Sequence, residues 1–252
     1  MFIIYKNKYC NIGLYLISII IVLSISLSLA ENINDYASLN KKNGLYYKNF
    51  SNEPFTGSVL GAVEGYISKG LKEGKFTKKY KNGNILSTAN FLKGNLQGEY
   101  VEYFNNGNIL TERIYNNNKL NGESINYYSM GKILNRRSYN NGVLEGEALE
   151  YYKNGMLHKK MFFKSGRLDG EYLIFHEYEL YEKVQIKIKS IYKNGKLEGE
   201  YLKYDEQGNL RSSGFYKNGK LEGEFKEYSK SGDLLKKIIY KNGSLVKIHT
   251  IL

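Results

Sequence analysis

The side chains that most often carry out catalysis are few and scattered in this chain of 252 residues. Its three histidines, His158, His176 and His249, have no carboxylate at a shared spacing, so they predict no acid–base pair. The single cysteine, Cys10, precedes an apolar segment, and no group of Cys and His residues has the spacing of a zinc site. A glycine-rich phosphate loop is also absent from the sequence. The sequence therefore predicts that the protein is not an enzyme, and it offers no catalytic, cofactor-binding or metal-binding residue.

The regular feature of the sequence is instead a Leu-x-Gly-Glu motif that recurs every 24 residues, with one step of 29. Chance does not produce such spacing, and a fixed period of this length indicates a repeat architecture. We predict about seven repeats in residues 70–252, including a degenerate first copy at Gly74 and an extended repeat at 170–198. The motif residues, predicted to be structural, are Leu96, Leu120, Leu144, Leu168, Leu197 and Leu221 with Gly98, Gly122, Gly146, Gly170, Gly199 and Gly223.

Each repeat predicts two short strands joined by tight turns. Positions are numbered here from the motif glycine as position 0; aromatic residues recur at +2, +5 and +17, and turn glycines recur at +9 and +20. Asn-Gly pairs between apolar runs, such as Asn106-Gly107 and Asn218-Gly219, are typical of two-residue hairpin turns. The predicted fold is all-β, an elongated single-layer antiparallel meander of tandem hairpins of about 24 residues.

The turns also predict which residues pair across the strands. If +8/+9 and +19/+20 are two-residue loops, then +6 pairs with +11, +5 with +12, and +17 with +22. Side chains alternate between the two faces of a strand, so positions 0, +2, +6, +11, +17 and +22 fall on one face. We further predict that the motif glycine leaves room for neighbouring aromatic rings to lie flat across the strand.

The tyrosines at +5 form a candidate partner-binding face, because Tyr offers flat contact area with a polar tip. The alternative is that these rings pack against cross-strand neighbours and only hold the sheet together. The candidate residues are Tyr103, Tyr127, Tyr151, Tyr204 and Tyr228.

Positive charge favours an anionic partner, since the formal net charge is +12. Cations recur at the turns around +18 to +21, where they either bind an anionic surface or form a solvated rim that discourages aggregation. These residues are Lys93, Lys119, Lys164, Arg167, Lys193, Lys196, Lys217, Lys220 and Lys241.

Residues 1–30 differ from the rest and predict export. Lys6 and Lys8 precede an apolar run that ends with Ser28, Leu29 and Ala30, a pattern typical of a secretory signal peptide. The alternative is an uncleaved anchor, in which case residues 12–30 are the only membrane contact. Residues 31–69 form a lead-in segment with a degenerate repeat. The mature protein is expected to be a monomer in the periplasm, at the cell surface or secreted. Because it is exported, we expect no nucleic-acid partner.

The sequence resembles the MORN-type repeat family, in the bacterial variant of the YwqK-like "antitoxin" group. The resemblance rests on Tyr151, Tyr152, Asn154 and Gly155, on the Tyr-Lys-Asn-Gly-Lys-Leu-x-Gly-Glu strings at 192–200 and 216–224, and on the lead-in at 44–57. It covers residues 44–245. It implies a non-enzymatic scaffold that binds a protein or an anionic envelope partner. An antitoxin- or immunity-like protein that neutralises a cognate effector is the alternative.

Overall fold

The computed structural model describes residues 31–177 and 185–250. The predicted signal or anchor segment, residues 1–30, for which a helix is expected, and residues 178–184 of the extended repeat lie outside them. Within the described residues the regular structure is β-strand apart from one 3-10 turn at Tyr36–Ser38, so the all-β prediction is confirmed. None of the described residues belongs to a helix long and apolar enough to cross a bilayer. The chain divides into an N-terminal unit, residues 31–85 with Asn90–Asn95, and an array unit, Leu86–Ala89 with residues 96–250.

The N-terminal unit buries an apolar core. Its strands are β1 (Glu31–Ile33), β2 (Leu39–Lys42), β3 (Leu45–Lys48), β4 (Gly57–Val59), β5 (Val63–Ser68) and β6 (Leu71–Lys79); β7 (Ile85–Leu92) is divided between the two units. Strand β1 pairs with β4 in parallel, β4 to β6 are antiparallel, and β2 and β3 form a separate hairpin. The side chains at the centre of the core are those of Leu39, Phe55, Val59, Ile67 and Phe76.

The array unit is an antiparallel meander in which each repeat supplies two strands. Every strand from β8 to β21 pairs with the next along the chain, except that β18 and β19 are two parts of one strand beside β17. The predicted hairpin meander is therefore confirmed. The strands are β8 (Asn95–Tyr103), β9 (Ile109–Asn116), β10 (Lys119–Tyr127), β11 (Ile133–Asn140), β12 (Val143–Tyr151), β13 (Leu157–Lys164), β14 (Arg167–Phe175), β15 (Ile186–Lys193), β16 (Lys196–Tyr204), β17 (Leu210–Lys217), β18 (Lys220–Leu221), β19 (Gly223–Tyr228), β20 (Leu234–Lys241) and β21 (Ser244–Thr250).

The turns at +19/+20 are two-residue turns, as predicted. Lys193 pairs with Lys196, and Asn194 and Gly195 between them have φ of 50° and 81°. Both residues are left-handed, as a type I′ turn requires.

The turns at +8/+9 differ from the prediction. Gly107 has a φ of 89° while Asn106 is not left-handed, and Gly107 donates its N–H to Phe104 O at 2.9 Å. The Asn106 side chain instead accepts from the N–H of Asn108 at 3.1 Å. The turn therefore spans +6 to +9, and +5 pairs with +11, as in Tyr103 with Ile109. The predicted pairs +6 with +11 and +5 with +12 are wrong, because only the glycine of this turn is left-handed.

The motif glycine lies in a β-bulge. Leu120 pairs with Tyr115 and Ser124 with Arg113, so three residues around Gly122 oppose one residue of β9. The motif glycines have φ from 73° to 129°. A Cβ at Gly146 would meet nothing within 4 Å, so backbone conformation rather than ring space requires glycine there. The prediction that the motif glycine makes room for rings is therefore wrong at Gly146, whereas at Gly170 a Cβ would lie 3.2 Å from the Cβ of Phe162.

Room for the ring at +2 is needed at two other glycines. A Cβ at Gly65 would lie 2.6 Å from the Phe76 ring, and one at Gly214 would lie 2.7 Å from the Phe225 ring. Neither glycine is left-handed. In both cases the aromatic residue at +2 lies across the backbone of the preceding strand.

The two faces of the array differ in character. The ring face carries positions +2, +4, +13, +15 and +17, and its rings at +2 and +17 contact each other, as in Tyr100 with Tyr115 at 6.0 Å and Tyr201 with Tyr216 at 5.8 Å. Its most buried residues in the array are mostly small: Ser87, Ala89, Thr111, Ser124, Ala148, Met161, Ser190, Ser212 and Ile238. By alternation the charged face carries +1, +3, +5, +14 and +16.

Candidate functional site

Exposed cations follow one edge of the array. The tight-turn edge is defined as the two-residue turns at +19/+20 with their flanking residues at +18 and +21. From the fourth motif-containing hairpin onward this edge carries seven exposed cations: Lys164, Arg167, Lys193, Lys196, Lys217, Lys220 and Lys241. Lys119 is exposed at an earlier turn of the same edge, and Lys93 is exposed at the corresponding turn of the N-terminal unit.

Carboxylates beside this edge are occupied by backbone donors. The residue directly before each motif glycine accepts the N–H of the first residue of the next tight turn: Glu145 from Ser165 at 2.7 Å, Asp169 from Asn194 at 2.9 Å, Glu198 from Asn218 at 2.6 Å and Glu222 from Asn242 at 2.6 Å. Gln97 and Asn121 do the same with amide oxygens, each at 3.1 Å. These side chains therefore join each repeat to the next.

Sequence reasoning missed this role, although the signal was present. An acidic or amide residue precedes the motif glycine in every repeat, from Glu73 to Glu222. A charged acceptor beside a left-handed turn is the residue type that satisfies an exposed turn N–H.

The five candidate tyrosines at +5 are all half-buried. Tyr127 donates its hydroxyl to Glu112 Oε2 at 2.6 Å, and the Tyr228 hydroxyl lies 3.5 Å from Ser213 Oγ. Burial together with the Glu112 carboxylate raises the pKa of Tyr127 to about 12. Both contacts reach from +5 to position +14 of the preceding repeat. The column is thus partly engaged in cross-strand contacts, and a partner-binding role for it stays a prediction.

Charges on the charged face form ion pairs. Glutamate at +1 contacts a cation at the position corresponding to +14, as in Glu123 with Arg136, Glu147 with Lys160 at 2.6 Å and Glu171 with Lys189 at 3.5 Å. This face is therefore close to electrically balanced over these repeats. The tight-turn edge has an excess of three positive charges over residues 145–241, since its seven cations stand beside four carboxylates.

The opposite edge, which carries the wider turns, is joined by side chains at +6. The hydroxyls of Tyr128 and Tyr152 donate to the carbonyls of Tyr151 and Phe175, each at 2.9 Å. His176 Nε2 lies 3.1 Å from Tyr204 O in the same relation. Position +6 is therefore a turn residue that joins neighbouring repeats, not a member of the regular face as predicted.

Two of the histidines, His158 and His249, lie on strands of the array. The His158 ring lies 4.2 Å from that of Tyr152, and burial lowers the pKa of His158. His249 is exposed on β21. Within residues 31–177 and 185–250, no three His, Cys, Asp or Glu side chains are grouped so that they could hold a metal ion.

The protein-family comparison agrees with the repeat geometry. A family described as "MORN repeat variant" matches residues 72–93, 96–117, 144–165, 197–218 and 221–242. Each match begins two residues before a motif glycine and ends at +19, so it includes the bulge, the wider turn and the first residue of the tight turn. A search of curated proteins finds no match. The chain is a MORN-type repeat protein, built from the variant form of the repeat.

Proposed function

We propose that this repeat scaffold is exported and binds an anionic partner of the cell envelope along its tight-turn edge. The observation that carries the proposal is the row of seven exposed cations from Lys164 to Lys241. The four carboxylates beside them accept hydrogen bonds from the backbone, so they are not free to fold over the lysines. The charged face offers no comparable excess, because its ion pairs cancel.

The spacing of the row favours an extended partner over a single ion. Neighbouring strands lie about 4.8 Å apart, so each repeat advances the edge by about 10 Å. A surface of anionic headgroups or a polymer with regular negative charges can contact several repeats at once. Such multivalent contact gives useful affinity even though each exposed cation contributes about 1 kcal/mol.

Replacing Lys193, Lys217 and Lys241 by Gln tests this proposal in the mature chain. Vesicles of phosphatidylglycerol in phosphatidylcholine serve as the probe. We expect about a 100-fold loss of binding, since three cations near an anionic surface contribute about 3 kcal/mol in total. The matched control replaces Lys81, Lys153 and Lys230, three exposed lysines at the wider turns, and changes net charge equally. Equal losses in both variants would show that only net charge matters.

The second candidate function is neutralisation of a protein effector through the +5 tyrosines. Their regular spacing and half-buried rings on the charged face favour it. Tyr151→Ala with Tyr204→Ala should then abolish capture of one folded protein from envelope fractions and leave vesicle binding unchanged. The first function is favoured if the lysine variant loses vesicle binding but still captures the protein, while the tyrosine variant keeps vesicle binding.

A further inference from the structure

A lysine in the N-terminal unit lies inside a cage of aromatic rings. Lys72 Nζ is 4.8 Å from the centroid of Phe76, 4.9 Å from Phe91, 5.1 Å from Tyr36 and 5.8 Å from Tyr46. The rings themselves form two contacting pairs, Tyr36 with Tyr46 at 5.4 Å and Phe76 with Phe91 at 5.3 Å. They come from the 3-10 turn and from β3, β6 and β7, and they line the rim of the apolar core.

Lys72 departs from the repeat pattern. It occupies the position two residues before the motif glycine, where the later repeats carry leucine. The cage therefore holds an amine at a position that the fold elsewhere fills with an apolar side chain.

The electrostatic surroundings favour a reactive amine. Among the described residues Lys72 makes no ion pair, and the carboxylate of neighbouring Glu73 accepts from the N–H of Lys93 at 2.8 Å. Burial, with Lys78 and Lys41 nearby, lowers the pKa of Lys72 to about 8. About a tenth of the side chain is then neutral at pH 7, against well under a thousandth for an ordinary lysine. The rings attract the remaining cationic form, which opposes the shift without cancelling it.

We infer that Lys72 is a covalent modification site whose amine condenses with an aldehyde and whose aromatic cage holds the resulting cationic imine. The neutral nitrogen adds to the carbonyl carbon, and the carbonyl electron pair moves to oxygen to form a carbinolamine. A proton from solvent then joins the hydroxyl, which leaves as water as the C=N bond forms, and the nitrogen keeps its one remaining proton and a positive charge. The product is a cation in the position of the original ammonium, so its contact with the four rings is retained. Lys72 is only partly buried and can be reached from solvent.

The reagents that fit are aldehydes with an apolar or aromatic body, since the cage excludes strongly hydrated groups. Open-chain sugars carry the same functional group and are the second source to distinguish. The site lies in the N-terminal unit and uses none of the cations proposed for envelope binding. Its failure would therefore leave the proposed function intact.

The experiment exposes the mature full chain at pH 7 to a substoichiometric aryl aldehyde, with cyanoborohydride to trap the imine as an amine. Mapping of the labelled peptides then compares Lys72 with Lys75 and Lys78, two exposed lysines on the same strand. We expect Lys72 to be labelled at least about tenfold faster than either, because it supplies far more neutral amine. Its labelling rate should level off above about pH 8. Glyceraldehyde in a parallel reaction should show a weaker preference.

Two variants test the role of the cage. Lys72→Arg should remove the fast label without changing the circular dichroism spectrum. Phe91→Leu keeps an apolar side chain but removes one ring, and should reduce Lys72 labelling toward the rate of Lys75. Equal labelling of Lys72 and Lys75 in the unaltered protein overturns the proposal. A fast label that survives Phe91→Leu overturns the role assigned to the rings.

Discussion

The N-terminal unit and the array unit bury their side chains in different ways. The N-terminal unit gathers large apolar residues, with Val59 and Ile67 fully buried and Phe76 only 3% exposed. The array buries mainly small or polar residues, such as Thr111, Ala148 and Ser190. Most of its rings remain half-buried, with Phe175 at 7% exposed as an exception, because the described residues of the array form one sheet without a second layer over it.

This difference indicates two sources of stability. In the N-terminal unit, burial of apolar area is the main favourable term. In the array, the acidic or amide residues before the motif glycines join neighbouring repeats at the tight turns. At three of the wider turns the +6 side chains of Tyr128, Tyr152 and His176 do the same. A linear array of this kind distributes its stability over neighbouring contacts instead of one centre.

Truncating the same repeat position in each unit should give the largest contrast. Phe76→Ala removes a buried ring and should cost about 3–5 kcal/mol. Phe225→Ala removes the ring at +2 in the array, where the side chain is only half-buried, and should cost about 1–2 kcal/mol. Urea denaturation followed by far-ultraviolet circular dichroism measures both values. Equal costs would mean that the array has a hidden core and that the comparison is wrong.

Two glycines of the array allow the cost of backbone strain to be compared with the cost of steric overlap. Gly146 is left-handed with a φ of 84° and open space around it, so Gly146→Ala should cost about 1–2 kcal/mol through backbone strain. Gly214→Ala should cost a similar amount for another reason, because its Cβ would press on the Phe225 ring.

Combining each glycine change with Phe225→Leu separates the two causes. The smaller side chain should recover most of the loss in Gly214→Ala and none of it in Gly146→Ala. Recovery in both combinations would mean that the motif glycine is also selected for space. The measurement is the free energy of unfolding of the four variants.

Periodicity was enough to predict the strands, the tight turns and the placement of +2 and +17 on one face, because these depend on local residue types repeated at a fixed spacing. It failed at the wider turns, where Asn-Gly has the same letters but only the glycine is left-handed. It also failed to predict the bulge at Gly122, because a bulge is recognised only from strand pairing, in which three residues of one strand oppose one residue of its neighbour. The cage around Lys72 could not be predicted, because two of its rings, Tyr36 and Tyr46, come from outside the repeats.

The acid caps should have a smaller effect than either ring or glycine. Glu145→Ala leaves the N–H of Ser165 without its side-chain acceptor and should cost about 1 kcal/mol. Glu145→Gln keeps an acceptor oxygen, as Gln97 does in an earlier repeat, and should cost only a few tenths of a kcal/mol. Thermal unfolding of the three proteins provides the comparison. If alanine and glutamine behave alike, the charge rather than the hydrogen bond carries the effect.

The smallest predicted effect concerns a network of charged side chains on the ring face. Glu150 contacts Lys159 at 3.0 Å and Arg137 at 3.2 Å. Burial alone would raise the pKa of Glu150, but these two cations hold it below its usual value. The folded state therefore binds this proton less readily than the unfolded state. The resulting stability is present above the unfolded pKa and is lost as the pH falls through the lower, folded pKa.

Unfolding of the array at pH 6 and at pH 3 should reveal this loss. A partly exposed network of this kind contributes about 0.5–1 kcal/mol, so the array should be weakened by that amount at the lower pH. Glu150→Gln should remove this part of the pH dependence, because an amide does not titrate, and should leave the unfolding of the N-terminal unit unchanged. An acid response that is the same in Glu150→Gln and in the unaltered protein would assign it to other carboxylates. The ring face would then derive its stability from ring contacts and edge hydrogen bonds alone.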